Sequence, residues 1–383
     1  MLRQITDQVL AAAADGTALR IRGGGSKDFY GESLQGELLD LSAWRGITSY
    51  EPTELVVTVR SGTPLAELEV ALAEKGQCLA FEPPAFGADS VAISATTCGG
   101  MVAAGLSGPA RASVGAVRDF VLGVNLLNGR GELLTFGGQV IKNVAGYDVS
   151  RLMVGALGTL GVLTEISLKV LPRAPAQATL RCGGIGQQAA LDLLNRWGGQ
   201  PLPLNASCWL PEGVTGGLRG ALLVRLRGAA AAVDAASVGM ITDLQTHGGV
   251  VGRVADDEAD VHWAACRNQN LPFFKAPAPE LGLWRLSVPQ TAPALNLPGE
   301  QLIEWHGGQR WWWAPLSAQA RLRQVAAELA GTATLFRAPY ARTTDSATCF
   351  HPIAPALQEI HRRLKAEFDP AGIFNHARMY PDF

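Results

Sequence analysis

The hydrophobic and polar positions of residues 1–60 alternate in a way that predicts one amphipathic helix followed by short strands. Residues 2–14 have a helical period, and strands are predicted at 18–22, 37–40 and 55–60. Three consecutive glycines follow the first of these strands directly. The chain therefore begins with a helix and strands, with a glycine-rich loop after its first strand.

The best-marked helix follows the strand at 55–60 and is defined at both of its ends. Thr63 is predicted as its N-cap, Pro64 fits the first helical position, and Gly76 supplies the stop. Its apolar face consists of Leu65, Leu68 and Leu72. From 81 to 111 the pattern dissolves into small residues, and a structureless loop of that length is typical of a functional segment.

The rest of the chain predicts a hairpin, a linker and a second region of mixed helices and strands. Strands near 120–127 and 132–135 are joined by an Asn-Gly-Arg-Gly turn, and 171–175 is interpreted as a linker. The last predicted helix has one apolar face, formed by Leu357, Ile360, Leu364 and Phe368. The basic residues Arg362, Arg363 and Lys365 are predicted to form its solvated face.

Composition narrows the functional class. Of the 383 residues, 48% are hydrophobic and 17% are charged, and the net charge is −2, so sizeable cores are expected and a nucleic-acid partner is not. The six cysteines include no Cys-x-x-Cys pair, which favours a reduced, intracellular protein. The N-terminus lacks the pattern of a signal peptide, and the uncharged stretch at 152–163 is too short to span a bilayer. We therefore expect a soluble, cytoplasmic protein.

Three motifs contain candidate binding chemistry. In Arg22-Gly23-Gly24-Gly25-Ser26-Lys27, consecutive glycines leave backbone N–H groups free to converge on an anion; the alternative is a flexible turn. The stretch 95–108 is rich in small residues and hydroxyls, and could lie against a planar ligand or form a tightly packed Gly/Ala helix. The third motif runs from 142 to 148, and a glycine ladder at 155–164 follows it.

The order and spacing of these motifs, with Phe-Asp-Pro-x-Gly-Ile-Phe-Asn at 368–375, resemble the FAD-linked oxidases that have a PCMH-type, vanillyl-alcohol-oxidase-like flavin domain. Within that superfamily the chain is similar to the FAD-binding subunits of glycolate oxidase. The resemblance implies an α+β fold: a PCMH-type FAD-binding domain at 1–175, an inserted α+β cap domain at 176–334, and a C-terminal segment at 335–383 that packs back on the flavin domain.

The resemblance also implies how individual residues are used. Gly23, Gly24, Gly25 and Ser26 would wrap the FAD pyrophosphate, and Thr97, Gly99 and Gly100 would close over it. Gly161 and Val162 would hold the adenosine end through backbone groups, and Asn375 would approach the flavin ring. The complete set of expected FAD-binding residues is Arg22, Gly23, Gly24, Gly25, Ser26, Lys27, Thr96, Thr97, Gly99, Gly100, Gly105, Gly146, Tyr147, Gly161, Val162 and Asn375.

Departures from the family pattern limit the expected chemistry. Ser26-Lys27 stands where some relatives have a histidine that bonds covalently to flavin, so the FAD is expected to be non-covalent; Cys98 is expected to be an inert buried thiol. Catalytic relatives have clustered metal-binding histidines, whereas no two of the six histidines here lie within five residues of each other. No metal is therefore expected. The catalytic residues stay unassigned, with Arg337 and Arg342 as candidates for clamping a substrate carboxylate.

Three functions follow from these expectations. In the first, the chain is the FAD-binding redox subunit of a glycolate (2-hydroxyacid) oxidase complex, and it carries electrons between the flavin site and an iron–sulfur subunit. The second is a self-sufficient FAD-dependent 2-hydroxyacid dehydrogenase, and the third is a mainly structural assembly subunit. The missing histidines favour the first over the second. Its expected partners are a second flavoprotein subunit and an iron–sulfur subunit, with peripheral membrane association through the complex.

Overall fold

A computed structural model describes residues 1–87, 95–138, 147–211, 220–247, 249–339 and 348–381 of the chain. The α-helices in these residues are α1 (Leu2–Asp15), α2 (Leu65–Ala73), α3 (Cys98–Ala104), α4 (Arg111–Val114), α5 (Val149–Leu152), α6 (Gln187–Gly198), α7 (Ala230–Gln245), α8 (Asp256–Asn268), α9 (Gln319–Glu328) and α10 (Pro355–Phe368). The mixture of these helices with the sheets described next confirms the expected α+β class.

The β-strands are defined over the same residues. They are β1 (Leu19–Arg22), β2 (Glu37–Asp40), β3 (Ile47–Glu51), β4 (Val56–Arg60), β5 (Gln77–Cys78), β6 (Val121–Leu127), β7 (Leu133–Gly137), β8 (Val162–Lys169), β9 (Leu171–Pro172), β10 (Ala176–Gly183), β11 (Leu204–Leu210), β12 (Ala221–Gly228), β13 (Val250–Val254), β14 (Leu281–Ser287), β15 (Gln301–Glu304), β16 (Gln309–Pro315) and β17 (Thr332–Arg337). Hydrogen bonding joins them into a five-stranded sheet, an eight-stranded sheet and two short pairs.

The chain divides into two compact units. Unit 1 comprises Met1–Ser107, Ala116–Arg173 and Pro352–Phe383, and unit 2 comprises Gly108–Gly115 and Ala174–His351. The boundary predicted at residue 335 falls inside β17, which pairs with β14 over its whole length. A strand cannot leave its sheet without losing this ladder of hydrogen bonds, so the chain stays in unit 2 beyond that point.

Unit 1 is built on an antiparallel sheet with the strand order β3-β4-β8-β6-β7. Beside it, β1 and β2 form a parallel pair, and the C-terminal segment returns to β1. The Leu19 N–H donates to the Ile373 carbonyl at 2.7 Å, and the Asn375 N–H donates to the Leu19 carbonyl at 2.9 Å. Phe374 is fully buried in the same core cluster as Leu19 and Val9. The first and last segments of the chain therefore share one core.

Helix α3 lies within the stretch that the sequence left open between a ligand-facing loop and a Gly/Ala helix. Thr97 caps it, because its Oγ1 accepts a hydrogen bond from the Gly100 N–H at 3.2 Å. Gly105 ends the helix with a φ of 63°, a left-handed conformation that favours glycine. Residues 98–104 are therefore helical, and a helix here does not by itself exclude a ligand against its surface.

Two local predictions were wrong. Helix α2 begins at Leu65, and the Thr63 hydroxyl does not cap it, because Oγ1 instead accepts from the Gly46 N–H at 2.9 Å. The first two residues of the predicted linker, Leu171 and Pro172, form β9 and pair with β5. In both places the residues hydrogen-bond to a partner elsewhere in the chain, which the local sequence pattern could not indicate.

Helix α10 also differs from its sequence prediction. The apolar side chains of Leu357 and Ile360 are 50% and 52% exposed, whereas Lys365, which was predicted to be solvated, is 7% exposed. Arg362 and Arg363 do lie at the surface, where both pair with Glu359.

Unit 2 contains the eight-stranded antiparallel sheet, in the order β13-β10-β12-β11-β15-β16-β14-β17. Helices α6 and α7 contribute Trp197 and Met240 to a core cluster with residues of β10 and β12, such as Leu180 and Val224. Helix α9 contributes Leu322 to a second cluster. Among the described residues, no helix combines the length and apolar composition that crossing a membrane requires.

Candidate functional site

A cleft in unit 1 is formed by the loop after β1, helix α3 and the loop before β8. It consists of two adjoining pockets whose shared wall residues are Ile21, Gly23, Thr97, Gly100, Ala103, Leu157 and Asn375. The glycine-loop pocket is further lined by Arg22, Gly24, Gly25, Ser26, Lys27, Asp28, Leu34, Ala104 and Arg378. The apolar pocket is further lined by Leu41, Ser61, Gly99, Met153, Ala156, Gly158, Leu160, Gly161 and Leu163. The cleft thus has one polar end and one apolar end.

Two of the three glycines after β1, Gly23 and Gly24, are required by direct contact with a second segment of the chain. A β-carbon on Gly24 would lie 1.5 Å from the Ala95 carbonyl oxygen, and one on Gly23 would lie 2.3 Å from Thr97 Oγ1. Thr96 reinforces this contact, since its Oγ1 donates to Ser26 Oγ at 3.0 Å. The sequence reasoning attributed the glycines to space for a ligand, but the contact that excludes a side chain at Gly23 or Gly24 is with the protein itself.

The basic groups of the glycine-loop pocket are held by neighbours. The Arg22 guanidinium pairs with the Asp28 carboxylate, with 2.9 Å between Nε and Oδ2. Lys27 Nζ lies 3.4 Å from Ser26 Oγ and 5.7 Å from the centroid of the Phe86 ring. Both cations therefore line the same pocket as the glycine loop, and the charge of Arg22 is partly offset by Asp28.

Arg378 fastens the loop that follows the glycines. This side chain is 5% exposed, and its guanidinium donates to the carbonyls of Asp28 at 2.9 Å, Tyr30 at 2.6 Å, and Glu32. A guanidinium presents several donors in a fixed plane, so one residue holds three backbone carbonyls of the loop at once. Sequence reasoning quoted Arg378 only as part of the terminal motif and missed this role.

Ser61 provides a direct test of whether the cleft suits a ligand. Its side chain lines the apolar pocket and is 2% exposed, yet Oγ makes no hydrogen bond within the described part of the chain. A buried hydroxyl without a partner costs about 1–3 kcal/mol. The residues present therefore fit a ligand that is polar enough to bond this hydroxyl and large enough to occupy both pockets. The sequence signal was weak, because Ser61 is an ordinary residue between a strand and a helix.

Asn375 joins three segments at the shared wall of the pockets. Its Oδ1 accepts from the Ile21 N–H at 2.8 Å, and its Nδ2 donates to the Leu157 carbonyl at 2.6 Å. Its φ of 40° is in the left-handed region, which asparagine tolerates better than most residues. The sequence named Asn375 as an expected site residue, and the structure shows that its amide ties β1 to the loop before β8.

The remaining expected FAD-binding residues lie elsewhere or outside the described residues. Gly105 ends α3 and lies against Gly155, whereas Val162 is fully buried in the core. Tyr147 is 94% exposed. Gly146 lies outside the described residues.

Of the two arginines considered for clamping a substrate carboxylate, one lies in unit 2 and the other lies outside the described residues. Arg337 belongs to β17 in unit 2, where its Nη2 donates to Gln269 Oε1 at 2.9 Å. Burial lowers the pKa of Arg337 to about 10, so the group stays charged at neutral pH. Arg342 lies outside the described residues.

Comparison with known proteins supports a flavin site. Residues 3–137 match the family described as FAD binding domain. The chain is 43% identical over 378 residues to the glycolate oxidase subunit GlcE of Escherichia coli K12, covering 99% of this chain and 97% of that protein. It is 33% identical over 134 residues to the glycolate oxidase subunit GlcD of Bacillus subtilis 168, which is 35% of this chain and 27% of that protein.

A solved structure gives the same fold. The crystal structure of p-cresol methylhydroxylase with substrate bound covers the whole of this chain with a TM-score of 0.69, at 13% identity and with 88% of its own length matched. At that identity the similarity is one of architecture. Together these comparisons confirm two sequence expectations, the PCMH-type architecture and FAD as the cofactor.

Proposed function

The chain belongs to the family of the glycolate oxidase subunit GlcE, and from this premise we propose that it is the FAD-carrying redox subunit of a multi-subunit glycolate oxidase. The observation that carries the proposal is the 43% identity, because it extends over 99% of the chain and therefore includes both units. The cleft in unit 1 supports the proposal, because one of its pockets is lined by the glycine loop and charged residues and the other mainly by apolar residues.

The residues of the cleft would divide the binding of FAD between them. Gly23, Gly24, Gly25 and Ser26 would present backbone N–H groups to the diphosphate, with Gly99 and Gly100 opposite them. The apolar pocket would enclose less polar parts of the cofactor, with the Ser61 hydroxyl as a hydrogen-bonding group in its wall. Bound FAD supplies reversible uptake of electrons, while the protein positions the cofactor and excludes water.

We assign the oxidation of the 2-hydroxyacid to the partner flavoprotein rather than to this chain. The sequence lacks the clustered histidines that catalytic relatives use to bind metal and to take the hydroxyl proton. It also lacks the paired cysteines of an iron–sulfur protein, so electrons must leave through another subunit. The proposed path therefore runs between a flavoprotein subunit, this chain and an iron–sulfur subunit, in a cytoplasmic complex that can associate peripherally with the membrane.

The test uses the purified chain alone and the same chain assembled with its two partner subunits. Alone, it should contain FAD that dithionite reduces, and glycolate should leave that flavin oxidised under anaerobic conditions. Glycolate-dependent dye reduction should appear only with both partners. A matched complex containing a flavin-free variant of this chain should lose at least tenfold in turnover, because the electron path would be interrupted.

Each alternative function has its own outcome in this experiment. Rapid bleaching of the isolated chain by glycolate would overturn the proposal and support a self-sufficient dehydrogenase, with Arg337 and Arg342 as the first substitutions to make. Full turnover of the complex that contains the flavin-free variant would also overturn it, and would support a mainly structural subunit.

A further inference from the structure

One strand and one helix of unit 2 bring three potential metal ligands together, and none of them lines the flavin cleft of unit 1. They are Cys208 on β11 and His262 and Cys266 on α8, and their ligand atoms all lie within 4.8 Å of one another. His262 and Cys266 are four residues apart, so they share one face of the helix. The distance from His262 Nε2 to Cys266 Sγ is 3.4 Å.

These distances suit one small ion held by all three groups. Zinc bonds thiolate sulfur at about 2.3 Å and imidazole nitrogen at about 2.0 Å, so a tetrahedral site separates sulfur from nitrogen by about 3.5 Å. The observed separation of 3.4 Å between His262 and Cys266 is close to that edge. The two separations that involve Cys208 lie within 4.8 Å, so Cys208 would have to approach the other ligands by up to about 1.3 Å for all three to meet around an ion.

The surroundings of the three ligands also suit a cation. Glu304 on β15 is the direct cross-strand partner of Cys208, so both side chains point to the same face of the sheet. Its carboxylate is fixed by Trp311 Nε1 at 2.6 Å and Gln309 Nε2 at 3.0 Å. The positive charge of Arg181 opposes a cation at His262 and so partly offsets the attraction of Glu304. Both cysteines are buried and His262 is half-buried, which leaves the imidazole side as a path from solvent.

We propose that Cys208, His262 and Cys266 bind a zinc ion, with a water molecule in the fourth position. Two thiolates and an imidazole are donors that zinc prefers, whereas magnesium and calcium need oxygen ligands and an iron–sulfur cluster needs at least four protein ligands. The ion would cross-link α8 to the sheet of unit 2. The expectation that no metal is bound rested on the absence of close histidine pairs and of Cys-x-x-Cys spacing. The relevant sequence signal is the His-x-x-x-Cys spacing at 262–266, which only the fold joins to Cys208.

The experiment measures zinc retained by the full chain. The protein is stripped with a chelator under reducing conditions, incubated with zinc chloride, desalted and analysed for zinc by mass spectrometry. The wild type should retain one zinc per chain, and Cys208→Ala and His262→Ala should each lose at least tenfold in retention. Cys182→Ala is the matched control, because Cys182 is a buried cysteine of the same unit outside the cluster. It should retain zinc as the wild type does.

A spectroscopic arm keeps the test valid if a variant fails to fold. Cobalt added to the stripped wild type should give a near-ultraviolet thiolate-to-cobalt charge-transfer band and intense visible ligand-field bands. The proposal is overturned if the wild type retains no zinc and shows neither band. Thiol titration then separates a Cys208–Cys266 disulfide from a hydrogen-bonded core cluster of free thiols. Flavin content, measured on the same samples, reports separately on the proposed function.

Discussion

At the scale of single residues, the Ser61 hydroxyl separates ligand binding from folding. Ser61→Ala removes a buried group that makes no hydrogen bond within the described residues, so the stability of the flavin-free protein should stay the same or rise. If FAD bonds this hydroxyl, the substitution should weaken FAD binding by about 1 kcal/mol, roughly fivefold in Kd. Thermal unfolding of the apoprotein and fluorescence titration with FAD measure the two effects.

The matched control for Ser61 is Ser167, which lies on β8, the strand that pairs with β4. Its Oγ is hydrogen-bonded to Thr58 Oγ1 at 2.9 Å, and both residues are buried. Ser167→Ala should therefore lower the stability of the apoprotein by about 1 kcal/mol without changing the Kd for FAD. Equal FAD affinity in Ser61→Ala and the wild type would contradict the assignment of this hydroxyl to the ligand.

His306 is a second residue whose environment has a measurable consequence. Burial lowers its pKa to about 4 from an ordinary 6.5, and its ring nitrogens lie 3.0 Å from Ser113 Oγ and 3.0 Å from Ser207 Oγ. The unfolded chain therefore binds a proton between these two values and the folded chain does not. Stability is fully present above about pH 6.5 and falls with pH, by about 2 kcal/mol between pH 7 and pH 5.

The prediction is tested by urea unfolding of the wild type and of His306→Gln at both pH values. The variant cannot take up this proton, so its loss between pH 7 and pH 5 should be smaller than that of the wild type by about 2 kcal/mol. His247→Gln, at an exposed position, should behave as the wild type does. Parallel pH curves for wild type and His306→Gln would show that the imidazole does not control the effect.

At the scale of elements, α10 depends on one buried ion pair. Lys365 Nζ donates to Asp369 Oδ2 at 2.6 Å and to the carbonyls of Thr159 and Phe374, each at 2.7 Å. Lys365→Met would leave the Asp369 charge and two carbonyls without this donor, so unfolding should become easier by about 3–5 kcal/mol. Chemical denaturation measures the change.

Arg363→Met on the same helix is the control for Lys365. Its side chain is 78% exposed and pairs only at the surface with Glu359, so the change should cost less than about 1 kcal/mol. If the two substitutions have similar effects, the buried pair does not hold the C-terminal turn in place.

The elements also show which features the sequence could predict. Strong local signals, such as the glycine stop at Gly76 and the alternation in 55–60, gave elements close to those observed. Lys365 was predicted to be solvated together with its neighbours Arg362 and Arg363. It is buried because its hydrogen-bond acceptors come from a loop about two hundred residues earlier and from the turn that follows the helix. Periodicity along one helix contains no information about such acceptors.

At the scale of the whole molecule, the flavin is expected to be held without a covalent bond. The family resemblance implies that Ser26 and Lys27 stand where some relatives bond flavin through histidine. Burial raises the pKa of the Cys98 thiol, which makes it a poor nucleophile. Acid precipitation should therefore release all of the yellow chromophore into the supernatant, as absorbance of the two fractions would show. Cys98→Ala should release it equally, and colour that stays in the pellet would contradict the prediction.

The candidate site was more predictable than the boundaries of the two units. Motifs at Gly23, Thr97 and Asn375 identified the cleft, since each has a composition that few other roles require. The sequence motifs could not identify Ser61, because it stands out only by the hydrogen bond that its hydroxyl lacks among the described residues. They also could not place residues 108–115 in unit 2, because that assignment depends on contacts with segments distant in sequence.

The return of the C-terminal segment to β1 sets the order of events during synthesis. Asn375 and Arg378 form part of the cleft wall, while Gly23 and Ser26 stand near the start of the chain. A nascent chain from which residues 373–378 have not yet emerged has an incomplete cleft wall, so we expect cofactor loading to follow their release from the ribosome. A chain truncated after residue 372 should emerge colourless while the chain that includes residues 373–383 is yellow, and a yellow truncated chain would refute this. Flavin colour would then report that a molecule includes the segment that completes the cleft.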